Sequence, residues 1–365
     1  MILQIEPHIT EEDIRSVEHY MRNGGWLTEF EETQKFEQEV SDTVHVKFCS
    51  AVTSGTIGLF LALKACGIKP GDRVLVPDYT MAATANAVYL AGAEPVLVGV
   101  DDCLCMNINV LNNIKNTKDY KALIFVSING RGGNIQKVVE FCKEHGIILI
   151  EDACQSFGAQ FCGTYLGTLG DIGVYSLSPH KIITTGQGGL IVTNNEEYYN
   201  KIEGMKDFCR DKPGSDIHTS IGYNFKFTDL QAVVGRSQLR YLHNRLNMKR
   251  KVYSTYKELL GNEHFVHDPN NDCYTPWAMD LVVAGSRHSV CAELARNKIG
   301  SRYAYPPLHT QIPWEGCEFL NVSVYEPICN LINSTLWLPS SLTLPLSDIQ
   351  KTCEVVLKEL QRSNT

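Results

Sequence analysis

Apolar residues in the first half of the chain fall into short, almost unbroken runs, separated by stretches with helical spacing. The runs at 46–52, 73–76, 94–100, 122–128, 147–151, 172–176 and 190–193 are brief and rich in Val, Ile and Leu, and predict strands. Between them, 57–66, 81–90 and 135–144 predict helices, and Gly67, Pro70-Gly71, Gly92 and Gly146 punctuate the alternation. Strands apolar on both faces and alternating with helices imply a mainly parallel sheet covered on both sides. After Asp207 the texture changes. A Leu-, Arg- and Gln-rich stretch from Thr228 to Lys251 predicts one long helix, and 347–360 predicts a closing amphipathic helix. The expected architecture is α/β, with a seven-stranded sheet in a large domain (residues 1–245) and a smaller C-terminal α/β domain (246–365).

Composition narrows the functional classes. A length of 365 residues suits one large core and one smaller one. The net charge of −8 gives no basic surface for nucleic acid. No apolar run approaches the roughly 18 residues that span a bilayer, and the N-terminal segment lacks the basic and apolar regions of a signal peptide. The thirteen cysteines are scattered, without paired zinc spacings. Reduced thiols, a cytoplasmic location and no metal site are expected.

Candidate chemistry concentrates between Glu151 and Gly189. Asp152 follows the apolar run 147–151, at the sheet edge where ligands bind in open α/β folds. It reads equally as a helix N-cap or as a carboxylate facing a cation. Gln155 lies three residues on, in reach of the same edge or of a capping box. Lys181 follows the run 172–176, hemmed by Ile182-Ile183 and by Thr184-Thr185-Gly186-Gln187-Gly188-Gly189. A lysine walled in this way loses proton affinity and becomes a usable amine. One such lysine and one such carboxylate meet the needs of pyridoxal 5′-phosphate (PLP), a cofactor held through a Schiff base and a protonated ring nitrogen. Ser54-Gly55-Thr56, between a strand and a helix, reads as a plain helix cap or as a phosphate site at a helix N-terminus. No GxGxxG opens the first strand–helix unit, which argues against a dinucleotide oxidoreductase.

Taken in order, these segments resemble the DegT/DnrJ/StrS sugar aminotransferases. The resemblance runs through Gly25–Glu39, Ser54–Leu63, Val76–Val88, Glu151–Ala159, Gly170 to Ser176, His180–Gly189 and Gly222–Leu239. It implies an aspartate-aminotransferase-like fold (fold type I) and a PLP enzyme with pyridoxamine phosphate as its intermediate form. Lys181 would be the Schiff-base lysine, Asp152 the partner of the pyridine nitrogen, and Gln155 a contact to the cofactor's O3′. Ser54, Gly55, Thr56 and Ser176 would hold the phosphate. Asn224 would reach the phosphate in a neighbouring subunit, which implies a homodimer. Met81 stands where the family usually has an aromatic residue stacked on the ring, and Gln187 where glutamate is usual. His309, Arg302 and Tyr303 fall in a segment that approaches the sugar nucleotide in relatives. His180 precedes the lysine; one relative has histidine in place of that lysine and works as a dehydratase, so His180 is read as a neighbour. The implied reaction moves an amino group from L-glutamate to a nucleotide-linked 4-keto-6-deoxyhexose, in polysaccharide or deoxysugar biosynthesis. C3 amination is the nearest alternative, and a catalytically silent protein of the same fold the one from another class.

Overall fold

Each of the seven apolar runs forms a strand, and all seven lie side by side in one sheet. The computed structural model describes residues 1–212, 214–268, 275–283, 287–321 and 325–363. The strands are β1 (Phe48–Val52), β2 (Arg73–Pro77), β3 (Glu94–Val98), β4 (Tyr120–Val126) and β5 (Ile148–Asp152). A short ribbon of β6 (Gln160–Phe161) and β7 (Thr164–Tyr165) precedes β8 (Ile172–Ser176) and β9 (Gly189–Thr193). The C-terminal part adds β10 (Met279–Val282), β11 (Arg302–Tyr303), β12 (Phe319–Leu320) and β13 (Thr335–Leu338). The large sheet has the order β1-β9-β8-β5-β4-β2-β3-β12, so the seven strands expected gain an eighth, two residues long, from the C-terminal part. Neighbouring strands are parallel except where β9 runs against both β1 and β8.

Alternation along each strand divides the core. Leu75, Leu123, Phe125 and Leu149 pack on one side of the sheet. Val74, Val76, Ala122, Ile124 and Ile150 pack on the other, beneath helix Gly55–Ala65. That burial on both faces is why the runs read as continuous. The parallel strands β1, β2, β4, β5 and β8 end at the same edge, and the loops that follow them build the site.

The single helix predicted from Thr228 to Lys251 is two. Asp229–Leu239 packs on the helices Glu11–Arg22 and Glu31–Val44, whereas Leu242–Leu260 continues toward helix Leu346–Ser363. The bend at Arg240-Tyr241 carries no Pro or Gly, and its flanking residues Leu239 and Leu242 are buried in one cluster, so helical spacing runs straight through it. Beyond it, the antiparallel sheet β10-β13-β11 covers a separate core with Tyr256, Leu281 and Leu336, joined by Ile2 from the N-terminus.

Two polar knots fix the segments around the site edge. The Asp229 carboxylate accepts backbone N–H groups of Phe30 (2.8 Å), Glu32 (3.1 Å) and Thr33 (2.9 Å), capping helix Glu31–Val44 from a distance. Lys206, 1% exposed, is surrounded by Glu203 at 2.8 Å, Glu37 at 3.2 Å and Glu29 at 3.3 Å. Burial pushes the Glu37 carboxyl up to about 7, against the pull of Lys206. Those carboxylates also accept from Ala51 N on β1 and from Phe227 N, and the Lys206 carbonyl accepts from Phe225 N. The knot therefore ties β1 to the segment that bears Asn224. Replacing Lys206 by Met would strand buried negative charge and should cost about 3–5 kcal/mol. Urea unfolding checks this; an unchanged midpoint would show the knot to be dispensable.

Candidate active site

Register puts the key groups level with one another. Gly189 pairs with Val52 on β1 and with Ser176 on β8, and Asp152 pairs with Val126 on β4 and Val174 on β8. The loops after these strands enclose a cavity of ≈ 270 Å³. Ser54, Gly55, Thr56, Met81, Asp152, Gln155, Ser176 and Lys181 all line it, so eight residues singled out from the sequence converge on one place.

Ser54 caps helix Gly55–Ala65, its hydroxyl accepting from Ile57 N at 3.2 Å. The N–H groups of the first turn open beside Ser176. Close approach sets the sequence here. A Cβ on Gly55 would lie 2.8 Å from Cys154 Sγ and 3.2 Å from Ser176 Cβ, and one on Gly189 only 2.6 Å from the Ser54 backbone. A Gly55→Ala variant should lose about 1–3 kcal/mol and bind phosphate compounds less well, measurable by thermal denaturation with and without pyridoxal phosphate. Equal stabilisation by the ligand in both proteins would place the phosphate elsewhere.

Adjacent acids do different work because a strand turns them to opposite faces. Glu151 is buried away from the cavity and accepts backbone N–H groups of Gly167, Leu169 and Gly170 at 2.6–2.7 Å, fastening the turn before β8. Asp152 lines the cavity, with Oδ2 accepting from Thr84 Oγ1 at 2.7 Å and Oδ1 from Cys154 N at 3.2 Å. Gln155 Oε1 accepts from Asn129 N at 2.7 Å, and the amide also bonds to Tyr305, whose phenol burial pushes up to about 12. Met81, 47% exposed, lines the same cavity, its sulfur accepting from Ala83 N at 3.0 Å.

Lys181 is half-buried, with Nζ 4.5 Å from the ring centroid of Trp277. The indole is pinned by donating to the His180 carbonyl at 2.8 Å and by edge contact with Trp337 at 5.4 Å. Burial lowers the proton affinity of Lys181, opposed by Cys154 and the Asp152 carboxylate. Thr84, Trp277 and Tyr305 were not singled out from the sequence. Only the fold brings 277 and 305 to 181, and Thr84 looks like any other polar residue of a first helical turn.

Five expected residues lie outside the cavity lining. Asn224 is exposed and lies outside the cavity. His309 bonds through Nδ1 to buried Asp78 at 2.7 Å and stacks on Phe319 at 4.5 Å. Arg302 lies over the rings of Tyr305 (5.4 Å) and Trp337 (5.2 Å) beside the cavity wall. Tyr303 is exposed and bonded to His288 Nδ1 at 2.7 Å. The His180 side chain is exposed, and its carbonyl serves Trp277. Every described cysteine is a free thiol, no cluster of three metal-ligating side chains occurs among the described residues, and none of their helices is long and apolar enough to cross a membrane.

The cavity fits PLP on its own terms. It offers helix N–H groups and a hydroxyl for a phosphate, a fixed carboxylate for a ring nitrogen, and one lysine with weakened hold on its proton. Comparison with known proteins agrees. The chain is 33% identical over 281 residues to GDP-perosamine synthase of Escherichia coli O157:H7, covering 76% of this chain and 77% of that one. It is 32% identical over 278 residues to UDP-N-acetyl-3-dehydro-alpha-D-glucosamine 3-aminotransferase of Acidithiobacillus ferrooxidans, covering 75% of each. The crystal structure of the aminotransferase TlmJ from Streptoalloteichus hindustanus superposes with a TM-score of 0.91 at 25% identity over the whole of both chains. The DegT/DnrJ/EryC1/StrS aminotransferase family matches residues 7–357, and the chain belongs to that family of PLP-dependent sugar aminotransferases.

Proposed function

We propose that this enzyme transfers the amino group of L-glutamate to a nucleotide-linked 4-keto-6-deoxyhexose, giving a 4-amino-4,6-dideoxy sugar nucleotide. The supporting observation is the lysine and carboxylate in one cavity, within a chain one-third identical to a GDP-perosamine synthase. PLP, when bound, supplies the electron sink that makes the donor's Cα proton acidic. Lys181 Nζ takes that proton, and in the second half-reaction returns one to the sugar carbon that receives nitrogen. Asp152, oriented by Thr84 and Cys154 N, holds negative charge against the ring nitrogen. The first turn of helix Gly55–Ala65 and Ser176 hold the phosphate, and Met81 covers the ring through its polarizable sulfur. Asn224, outside its own cavity, completes the phosphate site of the neighbouring subunit in a cytoplasmic homodimer.

A second reading, amination at C3, is favoured by the 32% identity to a 3-aminotransferase. Supplying L-glutamate with GDP-, dTDP- and UDP-linked 4-keto and 3-keto sugars, and following 2-oxoglutarate, separates the two. Product from 4-keto sugars is expected. Turnover confined to 3-keto sugars would overturn the C4 assignment.

A further inference from the structure

A second cavity of ≈ 30 Å³ adjoins the PLP cavity, sharing Cys154, Gln155, Ser176 and Lys181 with its wall. That is room for one small ion or a pair of waters. Its far wall is formed by His8 of the N-terminal segment, Lys249 of helix Leu242–Leu260, and Ser340 after β13. Lys249 is buried, and its ammonium donates to the Ser340 carbonyl. Burial pushes its proton affinity down to about 7, with no carboxylate among the described residues acting against it. Two more polar atoms on this wall, Ser340 Oγ and His8 Nδ1, are buried without a partner, and Ser340 as a whole is 0% exposed.

An ammonium, a hydroxyl and an imidazole N–H around a space of this size are donors converging where nothing on the wall supplies a buried negative charge. A lone buried ammonium is costly, and it is relieved either by losing its proton or by gaining an anion. We propose that Lys249, Ser340 and His8 form a binding site for a small monovalent anion of the halide class, chloride in solution. The ion would pair with the ammonium and accept from the serine hydroxyl and from His8 in the tautomer with hydrogen on Nδ1.

The position gives the ion a structural task. Ser340 N donates to the Gln4 carbonyl at 2.7 Å and Ser341 Oγ accepts from Glu6 N at 2.9 Å, so the N-terminal segment is laced along the chain beside the site. Arg245, one turn before Lys249, donates to the His8 carbonyl at 3.0 Å. The other charged and titratable groups on the wall are Cys154, His180, Lys181 and the exposed Glu6, and the buried pair Asp13 and Arg245 acts on His8 from the flank. The ion therefore joins N-terminal segment, helix and β13 beside the catalytic lysine. Because it holds Lys249 protonated, binding carries proton uptake above neutral pH and strengthens as pH falls toward 7.

Crystals of the PLP-loaded enzyme soaked in sodium bromide test the proposal by anomalous scattering. A bromide peak within hydrogen-bonding distance of Lys249 Nζ is expected, and water alone in its place would overturn the proposal. In solution, chloride should raise Tm over gluconate at equal ionic strength by about 2 °C at pH 7, and by less at pH 9. Lys249→Met should abolish that gain, and Ser340→Ala should reduce it. A gain equal in wild type and either variant would also overturn the proposal. The wild-type diffraction result stands even where a variant fails to fold.

Discussion

Replacing Lys181 by alanine is expected to end amino transfer, lowering turnover by about 10²–10⁴-fold from the lost proton transfer alone, while leaving the protein folded. The expectation of intact structure rests on the surroundings. Trp277 keeps its bond to the His180 carbonyl, and the ring contact with Trp337 does not involve the lysine. What disappears is the one amine lining the cavity among the described residues, whose hold on its proton burial weakens. Lys181→Arg should be nearly as inactive, because a guanidinium keeps the charge but does not release its proton. Release of 2-oxoglutarate from L-glutamate in a single half-reaction, alongside near-ultraviolet circular dichroism, measures both properties. An alanine variant turning over at the normal rate would remove Lys181 from the chemistry.

Asp152→Asn isolates a charge rather than a shape. The amide fills the same space, and Thr84 Oγ1, itself 2.9 Å from Thr80 Oγ1, can reverse its hydrogen bond to suit a donor. Folding should therefore survive. The cost should fall on kcat, by about 10²–10³-fold, as for loss of one aimed electrostatic group in a water-poor site, and on cofactor retention during dialysis. Thr84→Val, which keeps the charge and loses one orienting bond, should sit between the variant and wild type. If Asp152→Asn kept both cofactor and wild-type rate, the ring nitrogen would have to be met elsewhere.

The sheet was legible in the sequence because its strands are buried on both faces; the run 172–176 matches β8 from end to end. The cavity was legible wherever a group stands at a strand's end or in the short loop after it, as Asp152, Ser54 and Lys181 do. Legibility fails at two kinds of place. One is a bend with no special residue, Arg240-Tyr241, where packing against different partners divides an apparently continuous helix. The other is any contact closed over a long separation, such as Trp277 under Lys181 or Asn129 presenting its N–H to Gln155. The acidic pair Glu151-Asp152 shows both sides. Its position was informative, but only the register shows that one acid fastens a turn while the other lines the cavity.

The reversed strand β9 has a mechanical consequence. The loop bearing Lys181 leaves the sheet at Ser176 and re-enters it at Gly189, and Leu177 N to Gly188 O (2.9 Å) and Thr185 N to Leu177 O (3.1 Å) close it at the base. Thr184 N adds a bond to Gln238 Oε1 at 2.9 Å. The lysine thus stands on a closed ring of backbone rather than on a swinging arm. Its travel between partners is limited to rotations about its own side-chain bonds, and the amides of Leu177, Thr184 and Thr185 should resist deuterium exchange equally with cofactor and without it.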